Sequence, residues 1–106
     1  MELATLIFVT TKAFPKSEQY GLVNQMRRAA FSIPSNIAEG FCRGSKAEFK
    51  HFLQIAFGSG AELETQLTIA RNTTMLEEKA YTSIINSLNE IMRMLNRMIS
   101  NFRNAN

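Results

Sequence analysis

Apolar residues recur every three or four positions along most of this 106-residue chain, which is the pattern of helices with one buried face. A first short helix is predicted over residues 2–12, ending before Phe14-Pro15, because the residue before a proline is disfavoured in the α region. A second helix is predicted from its N-cap Ser17 to about Phe41. Its inward-facing apolar positions are Leu22, Met26, Ala29, Ala30, Ile33, Ile37 and Phe41.

Pro34 lies in the middle of this second helix. A proline there removes one backbone hydrogen bond and clashes with the carbonyl of Ala30. The apolar period nevertheless continues to Ile37 and Phe41. We therefore predict one kinked helix rather than two separate ones.

Two capping boxes predict where the third and fourth helices begin. In Ser45 to Glu48, the serine oxygen accepts a backbone N–H and the glutamate reaches back to the serine, so the third helix is predicted to run from there to about Arg71. Thr74 to Glu77 repeats the pattern and predicts the start of the fourth helix. The apolar stripe of that helix is Tyr81, Ile84, Leu88, Ile91, Leu95, Met98 and Phe102.

Two glycines interrupt the third helix. Gly58 and Gly60 each cost about 1 kcal/mol in a helix interior. The close approach of a neighbouring helix would offset that cost, and we predict such a contact at both positions.

Four helices with short connections predict a single all-α domain over residues 1–106, an antiparallel up-down four-helix bundle. At about 1.5 Å per residue, the second to fourth helices would each be roughly 40 Å long. The first helix would cover less than half of that length. This mismatch predicts an apolar groove, a second subunit that fills it, or missing first turns.

Composition narrows the class of protein. The 45% hydrophobic and 20% charged residues are typical of a globular domain. A lone cysteine, Cys42, excludes an intrachain disulfide and favours a reducing compartment. The apolar start lacks the pattern of a signal peptide, and no apolar run approaches the roughly 20 residues that span a bilayer. We expect a cytoplasmic protein without membrane contact.

Catalytic and metal sites find little support in the sequence. Glu48-x-x-His51 matches the element with which di-iron bundles bind metal, but those sites need two such elements and two further carboxylates, and the chain has one histidine. Glu48 is better explained as the capping residue. Gly58-Ser59-Gly60 lacks the preceding strand and following Lys-Ser/Thr of a phosphate-binding loop. We predict no enzyme, no metal and no cofactor.

Basic residues give a net charge of +3 and a pI near 9.4, which is compatible with nucleic acid. The candidates are Arg27, Arg28, Arg43, Lys46 and Lys50 around the second helix and the start of the third, and Arg93 and Arg97 one turn apart on the fourth, followed by Arg103. One interpretation is a phosphate-contacting surface with steep salt dependence. The alternative is an ordinary solvated face, with Glu90 beside Arg93.

Polar residues at the border of the buried stripe form a second candidate set. They are Ser32, Asn36, Glu39, Ser59 and Glu62. One hypothesis is a polar network that fixes how the second and third helices meet. The other is a set of solvated side chains paired along their own helices, worth a few tenths of a kcal/mol each.

The middle of the chain also carries a family resemblance. The residues that carry it are Phe14-Pro15, Glu18, Tyr20-Gly21-Leu22, Gln25, Arg27 to Ala30, the run SIPSNIAEG from Ser32 to Gly40, Arg43, Phe49, Phe52-Leu53, Ile55-Ala56, Gly58-Ser59, Glu62 to Glu64, Gln66-Leu67 and Met94-Leu95. Over residues 3 to about 100, the chain resembles the four-helix-bundle proteins encoded in intervening sequences of bacterial 23S ribosomal RNA genes.

The resemblance implies an antiparallel bundle that assembles into a homopentamer. It also implies a relationship to the accessory variability protein of diversity-generating retroelements, which partners a reverse transcriptase and RNA. In addition, the resemblance favours the hypothesis that the polar residues form a network between the second and third helices. Family members usually carry several more N-terminal residues. They also have a glycine between the third and fourth helices, where this chain has Asn72-Thr73-Thr74, and Asn72 could adopt the left-handed conformation.

Two functional hypotheses follow. The leading one is a non-catalytic oligomeric bundle that binds RNA or a ribonucleoprotein through a basic surface. The alternative is a protein scaffold or adaptor, for example of a reverse transcriptase, that uses apolar surface near the short first helix. A salt-dependent affinity for RNA would distinguish them.

Overall fold

Four α-helices make up nearly all of the computed structural model, which describes the backbone of residues 2–104 and the side chains of residues 2–102. They are α1 (Glu2–Thr11), α2 (Asn24–Cys42), α3 (Lys46–Asn72) and α4 (Glu78–Asn104). Helix α2 packs on α1 and α3, and α4 packs on α3 and α1. The bundle measures 47 × 23 × 18 Å. The predicted all-α four-helix fold is confirmed.

The core follows the predicted apolar stripes, with one exception. Its fully buried side chains include Ile7, Met26, Ile33, Leu53, Leu63, Leu67, Ile84, Leu88 and Leu95. The prediction was wrong for Phe41, which is 74% exposed. Gly40 takes the inward position instead, because a Cβ at Gly40 would lie only 2.7 Å from the Cβ of Phe52.

The chain approaches α2 through a segment that the sequence did not predict. A 3-10 turn (Lys16–Glu18) is followed by a π-helical turn (Gln19–Val23), and we call these residues the lead-in. Ser17 lies inside the 3-10 turn and makes no capping bond, so its prediction as N-cap was wrong. Extended Pro15 precedes the turn and accepts the N–H of Glu18 at 2.9 Å.

Helix α2 continues through Pro34 as a single helix, as predicted, and ends at the exposed Cys42. The kink at Pro34 stays a prediction. Helix α3 begins with the predicted capping box. Ser45 Oγ accepts the Glu48 N–H at 3.1 Å and donates to the Glu48 carboxylate at 3.3 Å.

The turn between α3 and α4 differs from the prediction. The Met75 N–H donates to the Ala70 carbonyl at 2.9 Å and the Thr74 N–H to that of Arg71 at 3.1 Å, which is a Schellman motif. Thr74 therefore holds the left-handed position, with φ of 61°, and Asn72 stays helical. Because Thr74 closes α3, it does not cap α4, which begins at Glu78. The predicted second capping box was wrong.

The two glycines inside α3 differ. A Cβ at Gly60 would overlap the side chain of Met92 on α4, so the predicted close approach is present there. A Cβ at Gly58 would meet nothing within 4 Å, so the same prediction was wrong for Gly58. The apolar period of α3 does not reveal which of two nearby glycines faces the neighbouring helix.

An apolar groove runs along α1 beside Ser87 of α4. A groove caused by the short length of α1 stays a prediction. The groove has a volume of about 540 Å³ and is lined by Glu2, Leu3, Thr5, Leu6, Val9 and Ser87. Among residues 2–104, no helix has the length and apolar character that crossing a membrane requires.

Candidate nucleic-acid interface

Arg93 and Arg97 lie one turn apart on the outward face of α4. Each is two residues from the buried Leu95, which places it about 200° around the helix from the core. Both side chains are exposed. Within the described part of the chain, no carboxylate oxygen lies within 4.0 Å of either guanidinium. Their charges are therefore available to a ligand.

Arg27 is fixed between α2 and α1. Its Nε donates to Thr11 Oγ1 at 2.9 Å, and its Nη2 donates to the Phe8 carbonyl at 3.3 Å. The guanidinium carbon lies 4.2 Å from the centroid of the Phe8 ring, a cation–π distance. Arg27 joins the two helices, and only part of its surface faces solvent.

Arg43 is engaged by two carboxylates. Its Nη2 lies 2.7 Å from Glu39 Oε1, and its Nη1 lies 3.8 Å from Glu48 Oε2. Its guanidinium carbon is 5.2 Å from the Phe52 ring centroid. All three charged side chains are about half exposed, so these pairs add little stability. They do cancel the positive field that Arg43 would present to a phosphate.

Three further predicted cations lie along α2 and the start of α3. Arg28 and Lys46 are exposed, and Lys50 is half-buried. Arg28 shares an open groove with Glu62. Of the predicted cations, Arg27 and Arg43 are already engaged by neighbouring groups, Lys50 is half-buried, and the others are exposed except for Arg103, whose side chain lies outside the described residues.

Three of the five predicted polar-network residues are hydrogen-bonded to one another. Asn36 Nδ2 donates to both the carbonyl and the hydroxyl of Ser32, each at 2.8 Å. Ser59 Oγ on α3 donates to Ser32 Oγ on α2 at 2.8 Å. All three residues are half-buried. This arrangement sets the register of α2 against α3.

The two glutamates of the predicted network lie at its periphery. Glu62 is exposed and lines a groove of about 570 Å³ with Gln25, Arg28, Ala29, Ser32 and Ser59. Glu39 is also exposed, and its carboxylate accepts from Arg43 at 2.7 Å and 3.2 Å. Glu39 therefore holds the end of α2 rather than the Ser32–Asn36–Ser59 cluster.

One groove was missed by the sequence reasoning. It has a volume of about 520 Å³ and is lined by Phe8, Lys12, Phe14, Lys16, Gln19, Tyr20 and Arg27. These residues come from α1, the connection after it, the lead-in and α2. They form no sequence motif that would have predicted the groove. The available signal was Tyr20, an aromatic residue outside the apolar period. Tyr20 is 96% exposed.

A buried amide was also missed. Gln66 is 5% exposed, and its Oε1 makes no hydrogen bond within the described residues. Its position beside Leu67 in the α3 stripe could have indicated burial. Among residues 2–104, no cluster of three or more histidine, cysteine or acidic side chains is placed to hold a metal ion.

Comparisons with known proteins agree with this fold. The sequence model of a family described as 23S rRNA-intervening sequence protein matches residues 1–97. A crystal structure from Bacteroides thetaiotaomicron, of a protein of unknown function from the S23 ribosomal protein family, superposes with a TM-score of 0.84. It is 27% identical, and the match covers 93% of this chain and 89% of that one. No curated protein matches the chain.

Proposed function

Because this chain belongs to the family of 23S rRNA-intervening sequence proteins, we propose that it is a non-catalytic helical bundle that binds RNA or a ribonucleoprotein through basic side chains. The observation that carries the proposal is the pair Arg93 and Arg97, exposed one turn apart without a carboxylate partner in the described residues. Guanidinium groups bind phosphate oxygens in a bidentate manner. Their Cβ atoms are about 5–6 Å apart, a spacing that suits two phosphates of one strand.

Oligomerisation would strengthen this surface. We propose a homopentamer, in which five copies of a chain with net charge +3 surround one axis. The summed field would attract phosphate and raise the rate of association. A non-catalytic role accords with the single histidine of the chain.

The first experiment measures binding of a labelled, structured 23S rRNA fragment at about 50 and 200 mM salt, with the mass of the oligomer recorded alongside. Six or more phosphate contacts should weaken the affinity on the order of a thousandfold across that range. Absence of binding at low salt by an intact oligomer would overturn the proposal.

A charge-reversal series tests the α4 surface. Arg93→Glu with Arg97→Glu should weaken RNA binding strongly while leaving the fold intact, because both side chains are exposed. Lys79→Glu is the matched control for Arg93→Glu, since it makes the same charge change at another exposed position of α4. Equal losses for Lys79→Glu and Arg93→Glu would mean that the general field, rather than the arginine pair, binds the RNA.

A second candidate function is a protein scaffold or adaptor, for example of a reverse transcriptase, without direct nucleic-acid binding. The observation that favours it is the exposure of large apolar side chains at Phe31, Phe41, Ile55 and Ile69, together with the apolar groove beside α1. Association of this kind should persist at high salt, because apolar contacts do not depend on counterion release. The salt series therefore separates the two functions.

A further inference from the structure

The groove between α1 and the lead-in combines fixed positive charge with exposed aromatic surface. We propose that it binds a segment of single-stranded nucleic acid, with a base stacked on Tyr20 and phosphates held by Lys12, Lys16 and Arg27. This inference rests on the proposed RNA-binding function and assigns to it a second site, separate from Arg93 and Arg97.

Tyr20 is the first part of the argument. It follows Gln19 at the start of the π-helical turn, and the residue is 96% exposed. Its side chain makes no hydrogen bond or aromatic contact among the described residues. A phenol ring projecting into water is a platform on which any base can stack, which is how sequence-tolerant single-strand binders work.

The charge of the groove is the second part. Its lining includes Lys12, Lys16 and Arg27 and no carboxylate. In contrast, the larger groove beside Arg28 includes Glu62. Charge complementarity therefore selects an anionic ligand for the groove at α1.

The geometry of Arg27 is the third part. Its bonds to Thr11 Oγ1 and to the Phe8 carbonyl use two of the five N–H groups of the guanidinium, and the others remain for a phosphate. The Phe8 ring lies 4.2 Å beneath it, and Lys12 Nζ is 5.3 Å from the same ring. Thr11 is fully buried and donates to the Ile7 carbonyl at 2.7 Å. A side chain anchored in this way is already ordered before a ligand arrives.

A single strand suits this arrangement better than a duplex. Stacking on an exposed ring requires an unpaired base, since the faces of paired bases are covered by their neighbours. The groove volume of about 520 Å³ also falls in the range of a small-molecule pocket, which accommodates about one nucleotide rather than a helix.

Intrinsic fluorescence tests the proposal directly, because the chain has two tyrosines and no tryptophan. In a Tyr81→Phe variant, Tyr20 is the only tyrosine and the emission is read at the tyrosine wavelengths. An unstructured RNA 12-mer should quench its emission. The matched Tyr20→Phe variant, which reports Tyr81 alone, corrects for light absorbed by the RNA and should show no further quenching.

Affinity is measured in parallel by anisotropy of the labelled 12-mer. Tyr20→Ala should weaken binding between about fivefold and a hundredfold, the range for loss of one stacked base, whereas Tyr20→Phe should keep it. Phe41→Ala removes another exposed aromatic ring, roughly 30 Å away along the chain's helices, and should change nothing. Lys16→Gln should reduce the slope of log affinity against log salt by about 0.7.

Each of the following outcomes would overturn a stated part of the proposal. If the wild-type protein binds no RNA at about 50 mM salt, the proposed function fails together with this site. If it binds RNA but Tyr20 is not quenched, the groove assignment fails and the proposed function stands. Equal quenching by polyglutamate would overturn the nucleic-acid assignment, and a changed oligomer mass in Tyr20→Ala would show that Tyr20 is a contact between copies.

Discussion

Helix α3 packs against α2 on one side and α4 on the other, and the two interfaces are built differently. At the α2–α3 interface, Gly40 is buried against the Cβ of Phe52 and the ring of Phe49, and three polar side chains are hydrogen-bonded to each other. At the α3–α4 interface, Gly60 faces the flexible thioether of Met92, among apolar side chains that repeat regularly. The first interface is fixed by shape and hydrogen bonds, whereas the second is fixed mainly by burial.

The difference indicates where the bundle tolerates change. A Cβ atom cannot move without its backbone, while the end of a methionine side chain has several rotamers available. Substitutions at the α2–α3 interface should therefore shift helices, and equivalent substitutions at the α3–α4 interface should shift only side chains.

The largest effect is expected for Gly40→Ala. The new Cβ would lie 2.7 Å from Phe52 Cβ and 3.1 Å from the Phe49 ring, and overpacking of this kind should lower the free energy of unfolding by about 2 kcal/mol. Urea denaturation at fixed protein concentration measures it. Gly58→Ala is the matched control, since the site is open, and it should raise stability by about 1 kcal/mol. A neutral Gly40→Ala would show that α2 can move away from α3.

Ser32→Ala should give the next largest loss. It removes the hydroxyl that accepts from both Asn36 and Ser59, so two donors lose a partner in a half-buried site, which should cost about 1.5 kcal/mol. The control is Ser35→Ala, three residues along at an exposed position, and it should leave the free energy of unfolding nearly unchanged. A double-mutant cycle with Ser59→Ala measures the coupling free energy between Ser32 and Ser59 across the two helices. Zero coupling would mean that this hydrogen bond does not stabilise the fold.

Thr74→Gly tests the turn that leads into the α3–α4 interface. The equivalent position after α2 is Gly44, with φ of 83°, while Thr74 holds φ of 61° despite its branched side chain. Because the left-handed conformation costs a non-glycine residue about 1 kcal/mol, Thr74→Gly should raise the thermal midpoint by several degrees. Thr73→Gly, whose φ is −97°, should bring no gain. Destabilisation by Thr74→Gly would mean that the turn is not strained.

Gly60→Ala should have the smallest effect. The overlap is with the end of the Met92 side chain, which can rotate away, and the gain in helix propensity of about 1 kcal/mol offsets the remaining cost. The net change should stay within about 0.5 kcal/mol. In a Met92→Ala background the same substitution should become stabilising. A loss as large as that of Gly40→Ala would erase the distinction between the two interfaces.

The sequence predicted what depends on periodicity and local capping. The four helices, the continuation of α2 through Pro34 and the capping box at Ser45 all follow from neighbours in the chain. The start of α4 was missed, because Thr74 can either cap a new helix or close the preceding one, and only the packing of α3 decides between these roles.

The site was predicted less completely for the same reason. Charges can be counted along a sequence, but their partners are set by tertiary contacts. Arg27 reaches Thr11 sixteen residues earlier, while Arg93 remains open to solvent. Tyr20 and Lys12 line one groove although they belong to different segments of the chain. A pattern of helical faces does not contain that information.

The exposed thiol at the end of α2 offers a way to count the subunits of the proposed homopentamer. Cys42 is the single cysteine of the chain and is accessible, so one nitroxide label can be attached per subunit without any substitution. In a closed ring, identical labels lie at the corners of a regular polygon. A five-membered ring gives two spin–spin separations, the side and the diagonal of a pentagon. The ratio of diagonal to side differs between a pentagon and a square, and a trimer gives a single separation. One pulsed electron paramagnetic resonance measurement of these distances therefore counts the subunits.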